Sequence, residues 1–236
     1  MTWSIIARDP ATGHLAVAVA TKFFAVGARV PFVAAGVGAI ATQALINPFY
    51  GVDGLRHLRD GLSPQDTVAR LIAADSGRDH RQLHIIDAQG RIAAHTGAAC
   101  VDWNGHIAGD GFSVAGNMLA GAAVIEATVA AYVNGSMLPF AARLIAAMRA
   151  GEAAGGDKRG RQSAALTIHG EEQWSDLDLR VDDHADPLAE LTRLEQVSRE
   201  RWVPFRSFLP NQASRVGITD RGVIEAGIAR AQAGPE

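Results

Sequence analysis

A run of seven residues near the start of the chain, His14-Leu15-Ala16-Val17-Ala18-Val19-Ala20, most constrains the fold. It is apolar at every position after the histidine, whereas a strand with one face in water alternates apolar and polar side chains. We therefore predict a β-strand in a sheet that is covered on both faces. Residues 3–8 form a second strand-like run, and the turn formers Asp9-Pro10-Ala11-Thr12-Gly13 between the two runs predict a hairpin.

The remaining predicted elements come in groups rather than in strict alternation. Further strands are predicted at 32–43, 82–87, 91–96, 105–115 and 163–169. Helices are predicted at 51–74, with Ser63-Pro64 starting a second helix, and at 121–134, 138–150 and from Leu188 through Val197. This grouping favours an α+β layered sandwich over a doubly wound parallel sheet, and no Gly-x-Gly-x-x-Gly follows the first strand.

The length and the tail of the chain bear on domain organisation. With 236 residues, of which 48% are hydrophobic, the chain can bury a sizeable core. We expect one main domain over residues 1–200 and an extension over residues 201–236 that packs on this domain or on a partner subunit. The Ala-rich, weakly charged helix at 121–134 adds to the expectation of a homo-oligomer.

Charge and cysteine content exclude several classes of protein. The formal charge is −3, and the densest basic cluster is only Lys158, Arg159 and Arg161, so nothing indicates binding to nucleic acid. No apolar run approaches the roughly 20 residues of a membrane span, and the N-terminus lacks a basic region followed by a signal core. A single cysteine, Cys100, suits a reducing compartment. We expect a cytoplasmic protein that does not associate with membranes.

The residue after the initiator methionine is the first candidate for catalysis. If Met1 is removed, as is usual before a small residue, Thr2 carries a hydroxyl nucleophile and a free α-amine that can act as its base. If Arg8 pairs with His14, Thr2 lies opposite Ala20, and Lys22 projects to the same side as Thr2. An ammonium there would lower the α-amine pKa from about 8 towards neutrality. The alternative is that Thr2 is simply the start of a strand and Lys22 a solvated charge at a strand end.

Other residues are candidates for binding a substrate. Thr21 would lie beside the chain start in this register. Asn47 could line a pocket that Gln43 caps, although Asn47 fits equally a turn before a helix. The loop from Gly155 to Ser163 carries a second group. Its Arg159 and Arg161 suit a clamp on a substrate carboxylate, and Asp157 could hold one of them or an ammonium; a structural salt bridge competes with this reading.

Several further motifs are weaker. Asp102, His106 and Asp110 could bring a carboxylate and an imidazole together, or they are polar turn residues bound to their own backbone. His80 and His84 have helical spacing but run into a strand, so no metal site is expected, and no cofactor motif is present. Gly111-Phe112-Ser113-Val114-Ala115-Gly116 departs from the hydrolase elbow because Ala115 replaces its second glycine.

A resemblance extends over residues 2 to about 195. Ser4-Ile-Ile-Ala-Arg-Asp-Pro-Ala-Thr-Gly, Gly36-Val-Gly-Ala-Ile-Ala-Thr-Gln-Ala, Asn47-Pro-Phe-Tyr-Gly, Gly109-Asp-Gly-Phe-Ser-Val-Ala-Gly-Asn and Gly155-Gly-Asp-Lys-Arg-Gly-Arg-Gln-Ser resemble, in order and spacing, the family catalogued as domain of unknown function 1028. That family is similar to the N-terminal nucleophile hydrolases. The resemblance implies a four-layer αββα sandwich and hydrolysis of a C–N bond, with Thr2 in the role of nucleophile.

The expected function is therefore hydrolysis of a non-peptide, amide-like C–N bond in a small metabolite, which the arginines suggest carries a carboxylate. Two alternatives remain open. The same pocket could hydrolyse an enamine or amidine and release ammonia, with Thr2 orienting water and a carboxylate doing the acid–base work. The chain could also have the fold without the chemistry, as a protein that binds a small molecule or forms an oligomer.

Overall fold

Ten strands and seven helices are present in residues 2–233, the part of the chain that the computed structural model describes. The strands are β1 (Thr2–Arg8), β2 (Leu15–Thr21), β3 (Pro31–Ala34), β4 (Gly38–Ala44), β5 (Arg81–Asp87), β6 (Ile92–Thr96), β7 (Gly105–Gly109), β8 (Phe112–Asn117), β9 (Ser163–His169) and β10 (Leu177–Val181). The helices are α1 (Pro48–Arg59), α2 (Pro64–Ala73), α3 (Ala122–Asn134), α4 (Phe140–Ala153), α5 (Pro187–Glu200), α6 (Trp202–Phe205) and α7 (Arg221–Ala233). The predicted α+β class is confirmed.

The strands form two antiparallel sheets. The larger sheet has the order β10-β9-β2-β1-β8-β7, and the smaller one has the order β3-β4-β5-β6. Strand β2 is buried along its whole length, as its unbroken apolar run predicts. The first strand, β1, is therefore central, since β2 and β8 pair on its two sides.

Three hydrophobic clusters show how the layers are stacked. One lies between the larger sheet and helices α3, α4 and α5, with Trp3 and Ile5 of β1 packed on this side. A second lies between the two sheets and contains Ile6 of β1 and Ile86 of β5. The third lies between the smaller sheet and helices α1 and α2. Each sheet thus has one face against helices and the other face against its partner sheet.

Helix starts follow from local sequence. Asn47 caps α1 by accepting a hydrogen bond from Phe49 N, and Ser63 caps α2 by accepting one from Asp66 N, with proline in the first turn of both helices. The predicted start of the second helix at Ser63-Pro64 is confirmed. Among residues 2–233, no helix has the length and apolar character that crossing a bilayer requires.

Two sequence expectations are wrong. No strand was expected at β10, whose sequence Leu-Asp-Leu-Arg-Val lies within an acidic stretch that was predicted only to lead into a helix. The hairpin register also differs by one residue, since Arg8 pairs with Leu15 rather than with His14. His14 belongs to the turn instead, where its carbonyl accepts a hydrogen bond from Asp9 N at 2.8 Å and Gly13 adopts a left-handed φ of 76°.

Candidate functional site

Thr2 lies where the central strand of the larger sheet begins. In the observed register it is the neighbour of Thr21 across the hairpin, and its hydroxyl donates to Thr21 Oγ1 over 3.2 Å. Both residues are buried, with exposed fractions of 6% and 2%. Because side chains alternate along a strand, Thr2 shares a face with Ser4 and Ile6, and this face is directed at the smaller sheet. The expected proximity of Thr2 and Thr21 is therefore observed, through a different register.

The predicted register placed Lys22 on the same side as Thr2, whereas in the observed register Thr2 lies opposite Thr21 and Lys22 directly follows the end of β2. The Lys22 ammonium is exposed and donates to the carbonyl of Arg161 at 3.1 Å. Its backbone N–H donates to Asp157 Oδ2 at 2.7 Å. The backbone N–H of Lys22 thus helps to fix the Asp157 loop to this end of the sheet.

The backbone of Thr2 is held from the other neighbouring strand. Thr2 pairs with Asn117 at the end of β8, and Asn117 Nδ2 lies 3.5 Å from the carbonyl oxygen of Thr2 and 3.0 Å from Gln82 Oε1. Gln82, on the smaller sheet, donates in turn to the carbonyl of Gly116 at 2.8 Å. The fully buried side-chain amide of Gln82 therefore links the smaller sheet to the end of β8 that pairs with Thr2.

Gln43 belongs to the same buried contact between the sheets. Its amide donates to Gln82 Oε1 at 2.8 Å and to the carbonyl of Ala115 at 3.2 Å, and its oxygen accepts from Ser4 at 2.9 Å. The side chain is fully buried. Gln43 therefore lies in the interior, where its amide joins β4 to strands of both sheets. The sequence had suggested instead that it caps a pocket.

A buried imidazole completes this network. His84 Nε2 lies 2.9 Å from Ser4 Oγ, and His84 Nδ1 lies 3.0 Å from Ser113 Oγ. Since the Ser4 hydroxyl donates to Gln43, Ser4 Oγ accepts from His84, which assigns the proton to Nε2 and makes Nδ1 an acceptor. Burial, together with the nearby His106, lowers the pKa of His84 to about 3, so the ring is neutral at neutral pH.

Asp157 anchors the second predicted group of residues. Its carboxylate accepts from Lys22 N and, at 2.8 Å, from Arg159 N, and it forms an ion pair of 3.1 Å with the Arg159 guanidinium. The Asp157 side chain is fully buried, whereas that of Arg159 is 40% exposed. Asp157 thus fastens the loop to the end of β2, and the expectation that it holds one of the two arginines is met by Arg159.

Arg161 and Asn47 have structural partners. Arg161 makes ion pairs with Glu152 at 2.7 Å and with Asp186 at 3.1 Å, which joins α4 to the start of α5. Asn47 caps α1 and also donates to Asp75 Oδ2 at 3.1 Å. Although burial opposes the shift, hydrogen bonds from Asn47, Gly77 and Arg81 hold the pKa of Asp75 well below its usual range. The structure therefore favours the interpretation that Asn47 belongs to the turn that precedes a helix.

Unusual backbone geometry is concentrated at the same end of the sheets. In the described residues, three that are not glycine adopt a left-handed φ: Ala25 at 54°, Ala44 at 68° and Met118 at 58°. Ala44 ends β4, Met118 directly follows β8, and Ala25 follows β2 closely, so all three lie near the strand ends around Thr2. Such conformations cost about 1–3 kcal/mol each and cluster at functional sites.

Two of the weaker sequence candidates, Ser113 and Asp102, have structural partners. Ser113 is bound to His84 inside the protein, and Asp102 contributes its carbonyl to Lys158 Nζ at 2.7 Å. Within residues 2–233, no group of three or more His, Cys, Asp or Glu side chains is arranged to hold a metal ion.

Sequence reasoning missed the network of Ser4, Gln82, His84, Ser113 and Asn117. The sequence does contain a sign of this network, because Gln82 and His84 occupy alternate positions of β5, next to the apolar Leu83 and Ile85. From a single sequence, however, the same alternation of polar and apolar residues equally indicates a strand with one face in water. Only the stacking of a second sheet shows that the polar face is internal.

The fold and site define a mixed α+β protein in which the first strand brings hydroxyl residues into a polar contact between two sheets. The chain belongs to the family of unknown function DUF1028, whose model matches residues 2–191. The crystal structure of protein SPO2555 from Silicibacter pomeroyi, assigned to DUF1028, is 35% identical in sequence, with a TM-score of 0.85, and the match covers 93% of this chain and 99% of that one.

A more distant similarity is to Anbu, the ancestral beta-subunit, from Yersinia bercovieri. It is 12% identical, with a TM-score of 0.39, over 83% of this chain and 94% of that one. A likeness this low carries no conclusion about the fold or activity of this chain. No curated protein matches the chain.

Proposed function

We propose that the chain is a hydrolase of the N-terminal nucleophile type, with a four-layer αββα sandwich, that cleaves an amide-like C–N bond of a small metabolite. Thr2 is the nucleophile once Met1, which lies outside the described residues, has been removed. The observation that carries the proposal is the position of Thr2, which begins the central strand with its hydroxyl on Thr21 and its carbonyl near Asn117. The order of layers, with helices outside two stacked sheets, agrees with this assignment.

The proposed reaction has two steps. The uncharged α-amine of Thr2 accepts the hydroxyl proton as Oγ1 attacks the carbonyl carbon of the substrate. The C–N bond then breaks, the leaving nitrogen takes that proton, and the acyl group remains on Oγ1 as an ester. A water molecule attacks the ester, its proton returns to Oγ1 through the α-amine, and the carboxylic acid is released.

The surroundings of Thr2 support precise positioning of this nucleophile. Hydrogen bonds from neighbouring strands restrict both the side chain and the backbone of Thr2, so little conformational entropy is lost on reaching the reactive geometry. The buried amides of Gln82 and Asn117 extend this support to the smaller sheet. We assign them as positioning residues in the proposed reaction.

The loop around Asp157 supports a substrate that carries a carboxylate. Asp157 fixes Arg159 at the end of β2 while 40% of the arginine side chain stays exposed, so Arg159 is the candidate to bind the carboxylate. Arg161 already contacts two carboxylates and is the weaker candidate. Lys22 is exposed and bound to a backbone carbonyl, so its influence on the α-amine would be screened by solvent and salt.

Covalent labelling tests the proposal. The purified protein is incubated with an acylating β-lactone, and the modified peptide is mapped by mass spectrometry, while intact mass reports whether Met1 is present. We expect one acyl group on Thr2 in chains that start at Thr2. Thr2→Ser should keep labelling because it keeps a hydroxyl and an α-amine, and Thr2→Val should abolish it.

The controls separate the alternatives. Thr12→Val, which alters an exposed hydroxyl in the hairpin turn, should label like the wild type. Active material that retains Met1, or a Thr2→Val protein that still hydrolyses its substrate, would overturn the proposal. Release of ammonia by Thr2→Val would favour the deaminase, and unreactive protein with Met1 in place would favour the non-catalytic alternative.

A further inference from the structure

Two neighbouring cavities lie at the opposite end of the larger sheet from Thr2. Their volumes are about 520 and 490 Å³, within the range of small-molecule sites, and both are lined by His14 and Arg206. Strand β2 runs from one end to the other. Its residue Thr21, paired with Ser163, lies at the end of Thr2, and its residue Leu15, paired with His169, lies at the end of the cavities. At about 3.3 Å per residue, six residues of strand place these cavities roughly 20 Å from Thr2.

The segment that follows α5 lines both cavities and is held in place by polar contacts. Trp202 Nε1 donates to the carbonyl of Asp176 at 2.8 Å, and Arg206 forms an ion pair of 3.2 Å with the Asp176 carboxylate. Farther along, Gln212 N donates to Glu172 Oε1 at 2.9 Å. These contacts hold the segment against the turn between β9 and β10, beside the two cavities.

The smaller cavity, which we call the apolar chamber, is walled mainly by hydrophobic side chains. They come from the domain and from the C-terminal segment: Phe140, Ile168, Leu177, Val203 and Pro204. The carboxylate of Glu195 also lines this chamber but is neutralised by an ion pair of 2.7 Å with Arg199. The chamber therefore fits an uncharged hydrocarbon group.

The larger cavity, which we call the acidic chamber, has the opposite character. Glu171, Glu172 and Asp176 line it, and Arg206 is the one arginine or lysine among its lining residues, so its formal charge is −2 with His14 counted as neutral. Trp174 also lines it, with 40% of its surface exposed. An indole ring and carboxylates that line the same cavity are groups that can together bind an organic ammonium ion.

We propose that the two chambers form one binding site for a protonated amine that carries an apolar chain. The ammonium lies in the acidic chamber against Glu171, Glu172 and Trp174, and the chain extends past His14 and Arg206 into the apolar chamber. This site is separate from Thr2, and it does not depend on the reaction proposed there.

Calorimetric titration of the full chain at pH 7.5 tests the site with three probes. Hexylammonium has both features, hexanoate has the same chain with the opposite charge, and ethylammonium has the same charge with a short chain. We expect saturable 1:1 binding of hexylammonium, with a Kd at least tenfold below that of either other probe. Burial of each additional CH₂ is worth on the order of fourfold in affinity, which leaves a wide margin for the chain-length comparison.

Variants locate the site. Glu171→Gln removes an exposed charge and should weaken hexylammonium by about three- to fivefold, and Trp174→Leu, an independent change, should do the same. Glu126→Gln, an equally exposed change on α3, should have no effect, and Thr2→Val should bind normally. Thermal unfolding confirms that each variant is folded.

Three results would overturn the proposal. They are the absence of saturable hexylammonium binding, hexanoate binding as tight as hexylammonium binding, and equal effects of Glu126→Gln and Glu171→Gln. None of them bears on covalent labelling of Thr2, so the two proposals fail independently.

Discussion

At the scale of single residues, the main feature is a set of buried polar side chains that satisfy one another between two sheets. Ser4, Gln43, Gln82, His84 and Ser113 are all fully buried and all have hydrogen-bond partners. A buried polar group without a partner costs about 1–3 kcal/mol, so each member stabilises the fold only while the others are present. The network therefore specifies the relative position of the two sheets.

His84 gives this network a measurable pH dependence. Its pKa is about 3 in the folded protein and about 6.5 when unfolded, so between these values the unfolded chain binds the extra proton. The stabilisation from the neutral ring is complete above pH 6.5 and is lost as pH falls towards 3. We predict that His84 lowers the free energy of unfolding by up to about 1.4 kcal/mol per pH unit within that window.

Urea denaturation of the wild type and His84→Gln from pH 7.5 to 4 measures this contribution. Glutamine cannot take up the proton, so the variant should show a shallower slope even if it is less stable throughout. His80→Gln, at an exposed position, is the matched control for the change of side chain. Equal slopes for the wild type and His84→Gln would contradict the assignment of a neutral, buried imidazole.

The same residues mark the limit of sequence reasoning. Thr2, Thr21 and Asp157 could be proposed as candidates from the sequence because the chain start, the hairpin and a charged loop are local features. Ser4 and His84 come from strands 80 residues apart, and their contact requires the stacking of two sheets, which strand periodicity does not reveal. The same applies to Gln43, which the sequence suggested as the cap of a pocket with Asn47 and whose buried contacts with Ser4, Gln82 and Ala115 depend on the stacking of the two sheets.

At the scale of elements, most helices and strands could be predicted from periodicity and capping, whereas register and β10 could not. Register depends on which turn residues leave the ladder, and the carbonyl of His14 bonds back to Asp9 inside the turn. Strand β10 is specified by pairing with β9 rather than by its own acidic sequence. The register therefore depended on the local geometry of the turn, and β10 depended on its pairing with a neighbouring strand.

Close contact between α4 and the larger sheet depends on Gly151. A Cβ at this position would collide with Thr128 Oγ1 of α3 and lie 2.9 Å from Trp3 Nε1 of β1. We predict that Gly151→Ala lowers the free energy of unfolding by about 1–3 kcal/mol, although alanine ordinarily stabilises a helix. Chemical denaturation measures the change.

Gly121 provides the comparison for this substitution. A Cβ there meets no atom within 4 Å, so Gly121→Ala creates no clash, and the less favourable helix cap should cost less than about 1 kcal/mol. If Gly151→Ala were as stable as the wild type, the helix would have to be packed farther from the sheet than the structure indicates.

At the scale of the whole molecule, stability is unevenly distributed. Helix α4 buries Leu144, Ile145, Ala147 and Met148 against the larger sheet, whereas α7 buries only Ile228. Local opening is favoured where few apolar side chains are buried. We predict that backbone amides of α7 exchange with solvent at least tenfold faster than those of α4 under native conditions.

Hydrogen–deuterium exchange followed by mass spectrometry resolves these two helices as separate peptides. Hexylammonium, if bound as proposed, should slow exchange in the segment from Trp202 to Ala213 and leave that of α4 unchanged. Equal protection of α7 and α4 in the free protein would show that the C-terminal segment unfolds only with the main domain.

The placement of β1 between β2 and β8 also has a consequence for biosynthesis. Thr2 and Asn117 are 115 residues apart, so the strand that flanks Thr2 leaves the ribosome long after Thr2 itself. At about 5–20 residues per second, this interval is roughly 6–23 s. An enzyme that processes the nascent chain ahead of Thr2 can therefore act during that interval, before β8 pairs with β1.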